Sequence, residues 1–284
     1  MTAESPTLHA LGDDDIDRAL AHYREHGWAR LGHLAPPGVV SDLGARVDAM
    51  MLGELTYPGL FFQHDATTGR YDDLEYGKGW RGPSLEYRKI EKLELDRAFW
   101  AWITSPAFGR VAARWYEGQR VTLYRAFAMC KGASGGSELP WHQDGGQFWG
   151  LDRDPTLQIW TALDDAPEGG GCVEVVDGSH VRGLVTPLGG VVPAEHAAAA
   201  DAEHRALPLP ARAGEVLLIH NHVWHRSGRT PVGTRRRALS VCYMDGRTVC
   251  RRKKRAPRVF AELFDATGSP ANFPADARGV SLSG

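Results

Sequence analysis

Hydrophobic residues recur at helical spacing in the first part of the chain. Between Asp14 and His26 the apolar side chains fall on one face, and the segments 39–55 and 95–116 repeat this spacing. Pro37 at the start of the second segment suits the first turn of a helix, and Ser105-Pro106 interrupts the third segment. The N-terminal part is therefore predicted to be helical, with a short strand beginning at Trp28.

From Gln119 onward the hydrophobic period changes from about 3.6 residues to two. Turns rich in glycine and proline separate the apolar runs, and short strands at regular spacing are typical of a sandwich or barrel. The candidate strands are 120–131, 139–144, 157–163, 172–176, 215–220 and 237–244. Residues 189–206 are rich in alanine and predict a surface helix between two strands.

No repeat or linker divides the chain, so we expect one domain over residues 1–284. Its predicted parts are a helical region (12–118), a β core (119–250) and a C-terminal tail (251–284). Residues 56–86 are rich in aromatic residues and glycine without a clear period, which is typical of a functional lid or of disorder.

Composition and charge argue against several classes of function. The net charge of −2 and the pI near 6.6 give no reason to expect a nucleic-acid partner, and the short basic run 251–255 is interpreted as a solvated face. The first residues lack the features of a secretion signal, and no apolar run approaches the length needed to span a bilayer. The four cysteines show no metal or disulfide spacing, so a cytoplasmic protein with reduced, mostly buried thiols is expected.

The most specific chemical signal is the pair His142 and Asp144, followed far downstream by His225 and Arg236. Residues i and i+2 of a strand share a face, so His142 and Asp144 can bind one ion together. A histidine from a neighbouring strand completes the two-histidine, one-carboxylate triad of non-haem Fe(II) oxygenases, which leaves coordination positions open. The planar guanidinium of an arginine suits the distal carboxylate of a keto-acid cosubstrate.

Three histidines, His220, His222 and His225, compete for the distal ligand position. His225 is preferred because it alone combines an HxS pattern with the spacing to Arg236. Arg235 and Arg237 should face away from the cosubstrate if their strand is regular. Helices first, then strands that contain the metal motif, predict a mainly β protein with flanking helices around a double-stranded β-helix, the jelly-roll core shared with cupins.

The chain resembles the phytanoyl-CoA hydroxylase-like (PhyH) family of Fe(II)/2-oxoglutarate oxygenases over roughly residues 12–250. The matching stretches, in the family's order, are PWHQD, LQIWTALDDAPEGGGCVEVVDGSH, GEVLLIH, HRSG and RRRAL. The resemblance implies metal ligands at His142, Asp144 and His225, and 2-oxoglutarate contacts at Arg236, Ser227, Trp160, Lys89 and Phe127.

The resemblance further implies an enzyme that uses Fe(II), 2-oxoglutarate and O₂, with no side-chain general base. Because Asp144 keeps the carboxylate that halogenases of this class lack, hydroxylation, desaturation or oxidative cyclisation is expected rather than halogenation. The composition resembles that of proteins from high-GC bacteria, in which family members tailor antibiotics and close orthoester rings on oligosaccharides. A small-molecule natural product is therefore the expected substrate, and the oligomeric state is left open.

Aromatic residues suggest where that substrate binds. Gln147, Phe148 and Trp149 follow the metal motif directly, and Trp80 lies in the segment 56–86 interpreted as a lid. Aromatic side chains at these positions could equally pack the mouth of the barrel.

Other classes of function stay open at this point. A cupin-like protein could bind or sense a metal without turnover, although such a protein has no need of Arg236 as a keto-acid clamp. A zinc or manganese isomerase on the same barrel, or a hydroxylase of a primary metabolite or acyl-CoA, would also fit parts of the pattern.

Overall fold

The computed structural model describes residues 10–76, 79–252 and 258–274. Its helices are α1 (Asp13–His26), α2 (Pro37–Leu52), α3 (Arg97–Ile103), α4 (Pro106–Trp115) and α5 (Ala194–Ala199). Gly27 and Gly53 end α1 and α2 in the left-handed conformation that glycine adopts without strain. Proline occupies the first turn of α4, which explains the predicted break at Ser105-Pro106.

Two antiparallel sheets face each other in a jelly-roll arrangement. The strands are β1 (Trp28–His33), β2 (Phe61–His64), β3 (Tyr87–Glu91), β4 (Val121–Lys131), β5 (Leu139–Gln143), β6 (Leu157–Ala162), β7 (Val173–Val176), β8 (Gly190–Val191), β9 (Ala206–Leu209), β10 (Glu215–Ile219), β11 (Trp224–Ser227), β12 (Arg236–Asp245) and β13 (Glu262–Phe264). The larger sheet has the order β1-β10-β6-β12-β4-β3-β2, with β13 also paired to β4. The smaller sheet has the order β8-β5-β11-β7-β9.

The outer face of the larger sheet is covered by the helices. Ile16, Leu20 and Tyr23 of α1 join Met50 and Met51 of α2 in one apolar cluster with the outward side chains of the sheet. Burying this face against the helices leaves the opposite face of the larger sheet turned toward the smaller sheet. The space between the two sheets is where polar side chains collect.

Each strand and helix expected from hydrophobic periodicity is present, with ends that differ by a few residues. The helix expected over 189–206 is much shorter than predicted, because only α5 is helical and β8 and β9 lie on either side of it. The strand expected at Trp28 is present as β1, but the N-terminal part is less purely helical than predicted, because β2 and β3 also belong to the larger sheet. Segment 56–86 contains β2 and the tail from 251 contributes β13, and neither strand was predicted. β2 and β13, at four and three residues, are too short for their period to be recognised.

Some expectations concern residues outside the description. The interpretation of the extreme N-terminus as lacking a secretion signal involves residues 1–9, and the basic run extends through 253–255. Within the described ranges no helix has the length and apolarity needed to cross a membrane. Cys130, Cys172 and Cys242 are buried, Cys250 is half-buried, and all four are free thiols, as the spacing predicted.

Candidate metal and cosubstrate site

The metal-ligand triad forms where two adjacent strands of the smaller sheet pair. His142 on β5 lies directly opposite His225 on β11 in the antiparallel register, and their rings are 3.9 Å apart between centroids. Asp144 follows β5 and points to the same side as His142; its carboxylate Oδ2 lies 4.0 Å from His225 Nε2. One ligand atom from each of the three residues lies within 4.8 Å of the others, which suits a single ion.

The two histidines are oriented for metal binding by their own strands. The Nδ1 of His142 lies 2.9 Å from the carbonyl oxygen of Pro140, and the Nδ1 of His225 lies 2.9 Å from that of Val223. Since a carbonyl can only accept, each Nδ1 carries the proton and each Nε2 keeps its lone pair for a metal. Burial, followed by the neighbouring His225, lowers the pKa of His142 to about 3, so this ring is neutral. The donor set therefore fits Fe(II).

A glycine pair turns the chain sharply behind Asp144. Gly145 and Gly146 have φ values of +138° and +84°, and the amide of Asp144 donates to the carbonyl of Asn221 at 2.7 Å. A Cβ atom added at Gly146 would lie 2.6 Å from the backbone of Leu188, so only glycine fits there. The turn fixes the direction in which the Asp144 carboxylate points.

Arg125 of β4, which the sequence analysis did not single out, contacts the triad directly. Its Nη2 donates to Asp144 Oδ1 at 3.0 Å, and its guanidinium lies 4.6 Å from the ring centroid of Trp149 and 4.7 Å from that of Phe127. Burial alone would raise the pKa of Asp144, but the Arg125 guanidinium outweighs it, and the pKa lies below its usual value. The carboxylate is therefore ionised and available as a ligand.

Arg236 of β12 lies at the inner end of the cavity between the sheets. It is 3% exposed, its Nη1 donates to the carbonyl of Met129 at 3.3 Å, and its buried Nε has no partner among the described residues. Burial lowers the pKa of Arg236 to about 10. The hydroxyl of Ser240, also on β12, is buried and has no hydrogen-bond partner in the described part of the chain. Unsatisfied donors at a buried cation fit an anionic carboxylate such as the distal group of 2-oxoglutarate.

The neighbours of Arg236 in sequence face elsewhere. Arg235 donates to both oxygens of Asp48, at 3.0 and 2.7 Å, and Arg237 forms a two-pronged pair with Asp164 at 2.8 Å. The alternation of β12 thus turns only Arg236 inward, as the strand period predicted. His220 and His222 also lie away from the triad: His222 Nε2 is 3.1 Å from Asp154 Oδ2, and the His220 ring lies 4.7 Å from that of His180 between centroids.

A cavity of about 620 Å³ connects these groups. Of the residues expected to bind metal, cosubstrate or substrate, those that line it are His142, Asp144, His225, Arg236, Ser227, Trp160, Lys89, Phe127, Phe148 and Trp149. Lys89 forms an ion pair with Glu91, and its ammonium lies 4.7 Å from the ring centroid of Phe127. Burial, followed by Arg125, lowers the pKa of Lys89 to about 8.

Two expected substrate residues do not reach the cavity, and the structure corrects both assignments. The Trp80 indole donates to the carbonyl of Met51 at 3.1 Å and lies against Gly53, at the end of α2. Gln147 is exposed at the start of a single 3₁₀ turn, which directs Trp149 inward instead. Segment 56–86 nevertheless borders the cavity through other side chains: Phe61, Gln63, Tyr71 and Tyr76.

A jelly roll with this triad beside an inward-facing buried arginine defines the class of non-haem iron, 2-oxoglutarate-dependent oxygenases. The model of the phytanoyl-CoA dioxygenase (PhyH) family matches residues 23–238, and the chain belongs to this family. The predicted family, fold class and cofactor pair, Fe(II) and 2-oxoglutarate, are thereby confirmed.

Three proteins are similar to this chain in sequence or in fold. The mouse (Mus musculus) phytanoyl-CoA dioxygenase domain-containing protein 1 is 30% identical over 117 residues, which is 39% of this chain and 40% of that protein. The 1-deoxypentalenic acid 11-beta-hydroxylase of Streptomyces arenae is 26% identical over 232 residues, covering 78% of this chain and 69% of that protein. The epimerase SnoN in complex with Fe³⁺, alpha-ketoglutarate and nogalamycin RO superposes with a TM-score of 0.64 at 18% identity, covering 85% and 88% of the two chains.

Proposed function

We propose that the protein is a 2-oxoglutarate-dependent oxygenase that hydroxylates or oxidatively cyclises a small-molecule natural product. The observation that carries the proposal is the joint placement of the His142, Asp144 and His225 triad and the unpaired Arg236 around one cavity. In this proposal the triad holds Fe(II), and Arg236 with Ser227 binds the distal carboxylate of 2-oxoglutarate. With O₂, this cofactor pair supplies an oxidant for an unreactive C–H bond while 2-oxoglutarate is converted to succinate and CO₂.

The protein's own contribution is binding, orientation and exclusion of water. Arg125 holds the Asp144 carboxylate ionised, and the carbonyls of Pro140 and Val223 fix the two imidazole rings. Apolar and aromatic side chains form most of the remaining wall, which favours a substrate with a ring system over a highly hydrated one. No side chain of the cavity is required to move a proton.

The activities of similar proteins support the substrate class. One acts on 1-deoxypentalenic acid, and another is a nogalamycin epimerase, so relatives with this architecture modify complex natural products. We propose that this chain acts on a compound of the same general kind, with antibiotic biosynthesis as its setting. Closure of an orthoester-type ring on a sugar-containing antibiotic is one outcome within this proposal.

Succinate formation tests the proposal directly. Purified protein supplied with Fe(II), 2-oxoglutarate and O₂ should form succinate, and His225→Ala should lose both bound iron and succinate formation. His222→Ala is the matched control, because His222 pairs with Asp154 and should leave iron content unchanged. Iron binding without succinate, in the presence of any candidate substrate, would indicate a metal-binding module instead. Loss of iron in His222→Ala but not in His225→Ala would overturn the ligand assignment.

A further inference from the structure

Basic side chains outnumber acidic ones along the cavity wall. Among the described residues the basic ones are Arg88, Lys89, Arg125, Arg226 and Arg236, and the acidic ones are Glu91 and Asp144. Lys89 pairs with Glu91, Arg125 pairs with Asp144, and Arg226 pairs with Glu174 and Glu203. Arg88 and Arg236 form no ion pair with a described carboxylate. These two buried guanidinium groups therefore have no anionic partner among the described residues.

Arg88 is almost entirely buried, with 6% of its surface exposed. Its Nη1 donates to Gln63 Oε1 at 3.0 Å, and its guanidinium lies 5.8 Å from the ring centroid of Tyr71. Asp65 acts on it only through space, and Asp65 Oδ1 accepts from the backbone amides of Ala66 and Ser137. The same carboxylate also acts through space on the buried Lys131, so its influence is shared between two basic side chains.

A break in strand register turns Arg88 toward the cavity. Gln63 pairs with Lys89, but the next residue, His64, pairs with Tyr87, which leaves Arg88 as an extra residue in β3. In a regular strand neighbouring side chains point to opposite faces, yet Arg88 and Lys89 both line the cavity. A bulge of this kind re-aims a side chain and is common beside functional sites.

Gln63 supplies a second, independent indication of an anion. Its side chain is 3% exposed, its Oε1 is occupied by Arg88, and its Nε2 is buried with no hydrogen-bond partner among the described residues. The Gln63 NH₂ therefore places a hydrogen-bond donor that has no partner among the described residues beside the Arg88 guanidinium. Tyr71 and Tyr76, whose hydroxyls are 3.1 Å apart, line the same cavity as Gln63 and Arg88, and Tyr76 is 60% exposed.

The cofactors do not account for this surplus charge. Fe(II) and 2-oxoglutarate carry opposite charges of equal size, and Arg236 is available for the distal carboxylate. We infer that Arg88, assisted by the Gln63 amide, binds an anionic group, a carboxylate or a phosphate monoester, carried by the primary substrate. This inference rests on the proposed function, because it names the substrate class of the same cavity. Burial without a counter-ion is costly for a guanidinium, and a bound anion offsets that cost.

The test compares matched acidic and neutral ligands on protein loaded anaerobically with Fe(II) and saturating 2-oxoglutarate. The probes are 3-phenylpropionate against 3-phenylpropionamide, cyclohexanecarboxylate against its carboxamide, and glucose 6-phosphate against glucose, with Kd measured by calorimetry. At least one acid should bind about tenfold or more tightly than its neutral counterpart, as expected for a charge-assisted hydrogen bond. Arg88→Gln should remove this preference, and Gln63→Leu should reduce it. Arg182→Gln, which removes an exposed charge, should preserve it.

Three results would overturn the inference. The first is that no acid in the panel binds more tightly than its neutral partner, and the second is that the preference survives Arg88→Gln. The third is that Arg88→Gln weakens 2-oxoglutarate binding as much as Arg236→Gln does, which would assign Arg88 to the cosubstrate. Melting temperatures of each variant show that the fold is retained, and Arg88→Lys should restore part of the preference. Succinate formation is measured in parallel: its absence with the acid preference intact would refute the oxygenase proposal and leave the anion site standing.

Discussion

The guanidinium of Arg125 donates to the Asp144 carboxylate at 3.0 Å while lying between the rings of Trp149 and Phe127. A metal ligand is thus held by a cation that the metal itself would repel. The hydrogen bond orients the carboxylate, whereas the charge opposes a divalent ion, and the two effects can be separated by substitution.

We predict that Arg125→Leu weakens Fe(II) binding about tenfold, because partners that orient a metal ligand contribute about 10- to 100-fold to affinity and lost repulsion offsets part of this. Arg125→Gln keeps an NH₂ donor without the charge and should bind Fe(II) at least as well as the Leu variant, approaching the wild type. Anaerobic titration with a competing chelator measures both. Equal affinity in the wild type and the Leu variant would show that Asp144 is oriented by its turn alone.

Comparing Arg125 with the triad shows which parts of the site can be predicted from the sequence. His142 and Asp144 were recognisable because an i, i+2 pair on a strand fixes their common face, and the jelly-roll order brings His225 opposite. Arg125 shares the inward face of β4 with Phe127, so its orientation was within reach of the strand period. The sequence could not predict that Arg125 pairs with Asp144, because this contact depends on the distance between the two residues across the two sheets.

Two further positions show why other site residues were missed or misplaced. Arg88 enters the cavity through an irregularity in strand pairing, and a bulge leaves no mark on the hydrophobic period. Trp80 lies in an irregular segment where no period assigns a face, and packing against Gly53 decides its position. The sequence predicted the framework and the ligands on regular strands, whereas contacts made by irregular backbone required the structure.

We predict that Arg236→Met separates stability from cosubstrate binding. Removing one partner of a buried charged pair costs about 3–5 kcal/mol, so the Kd for 2-oxoglutarate should rise by roughly two orders of magnitude or more. The ligand-free protein loses an uncompensated buried charge and should melt at an equal or higher temperature. Arg237→Met should instead lower the melting temperature and leave the Kd for 2-oxoglutarate unchanged, because Asp164 loses its partner while the cavity stays intact. A large drop in melting temperature for Arg236→Met, without weaker binding, would contradict the assignment.

Lys89 should impose a pH dependence on 2-oxoglutarate binding, since burial lowers its pKa to about 8. As the pH rises through about 8, the ammonium loses its proton, and the Kd for 2-oxoglutarate should increase several-fold by pH 9. Lys89→Arg stays charged and should give a flat profile over this range.

Folding stability should move in the opposite direction. Between the folded pKa of about 8 and the usual value of 10.5, the unfolded chain binds a proton that the folded chain lacks, so raising the pH favours the folded state at this residue. Calorimetric Kd values from pH 7 to 9, with chemical denaturation of the wild type and Lys89→Met, measure both trends. A Kd that is independent of pH in the wild type would place Lys89 outside the cosubstrate site.

The tyrosines of segment 56–76, rather than Trp80, should close over bound ligand. Tyr76 donates its hydroxyl to that of Tyr71 at 3.1 Å, and both line the cavity beside Arg88, whereas Trp80 is bonded to Met51. Binding of Fe(II), 2-oxoglutarate and an acidic probe should therefore slow amide hydrogen exchange in this segment, because lids order when ligand excludes water.

Tyr76→Phe removes the hydroxyl contact and should reduce the ligand-induced protection a few-fold. Trp80→Phe, which lacks the indole donor, should lower the melting temperature and leave the protection unchanged. Identical exchange with and without ligand in the wild type would show that this segment is a fixed wall of the cavity.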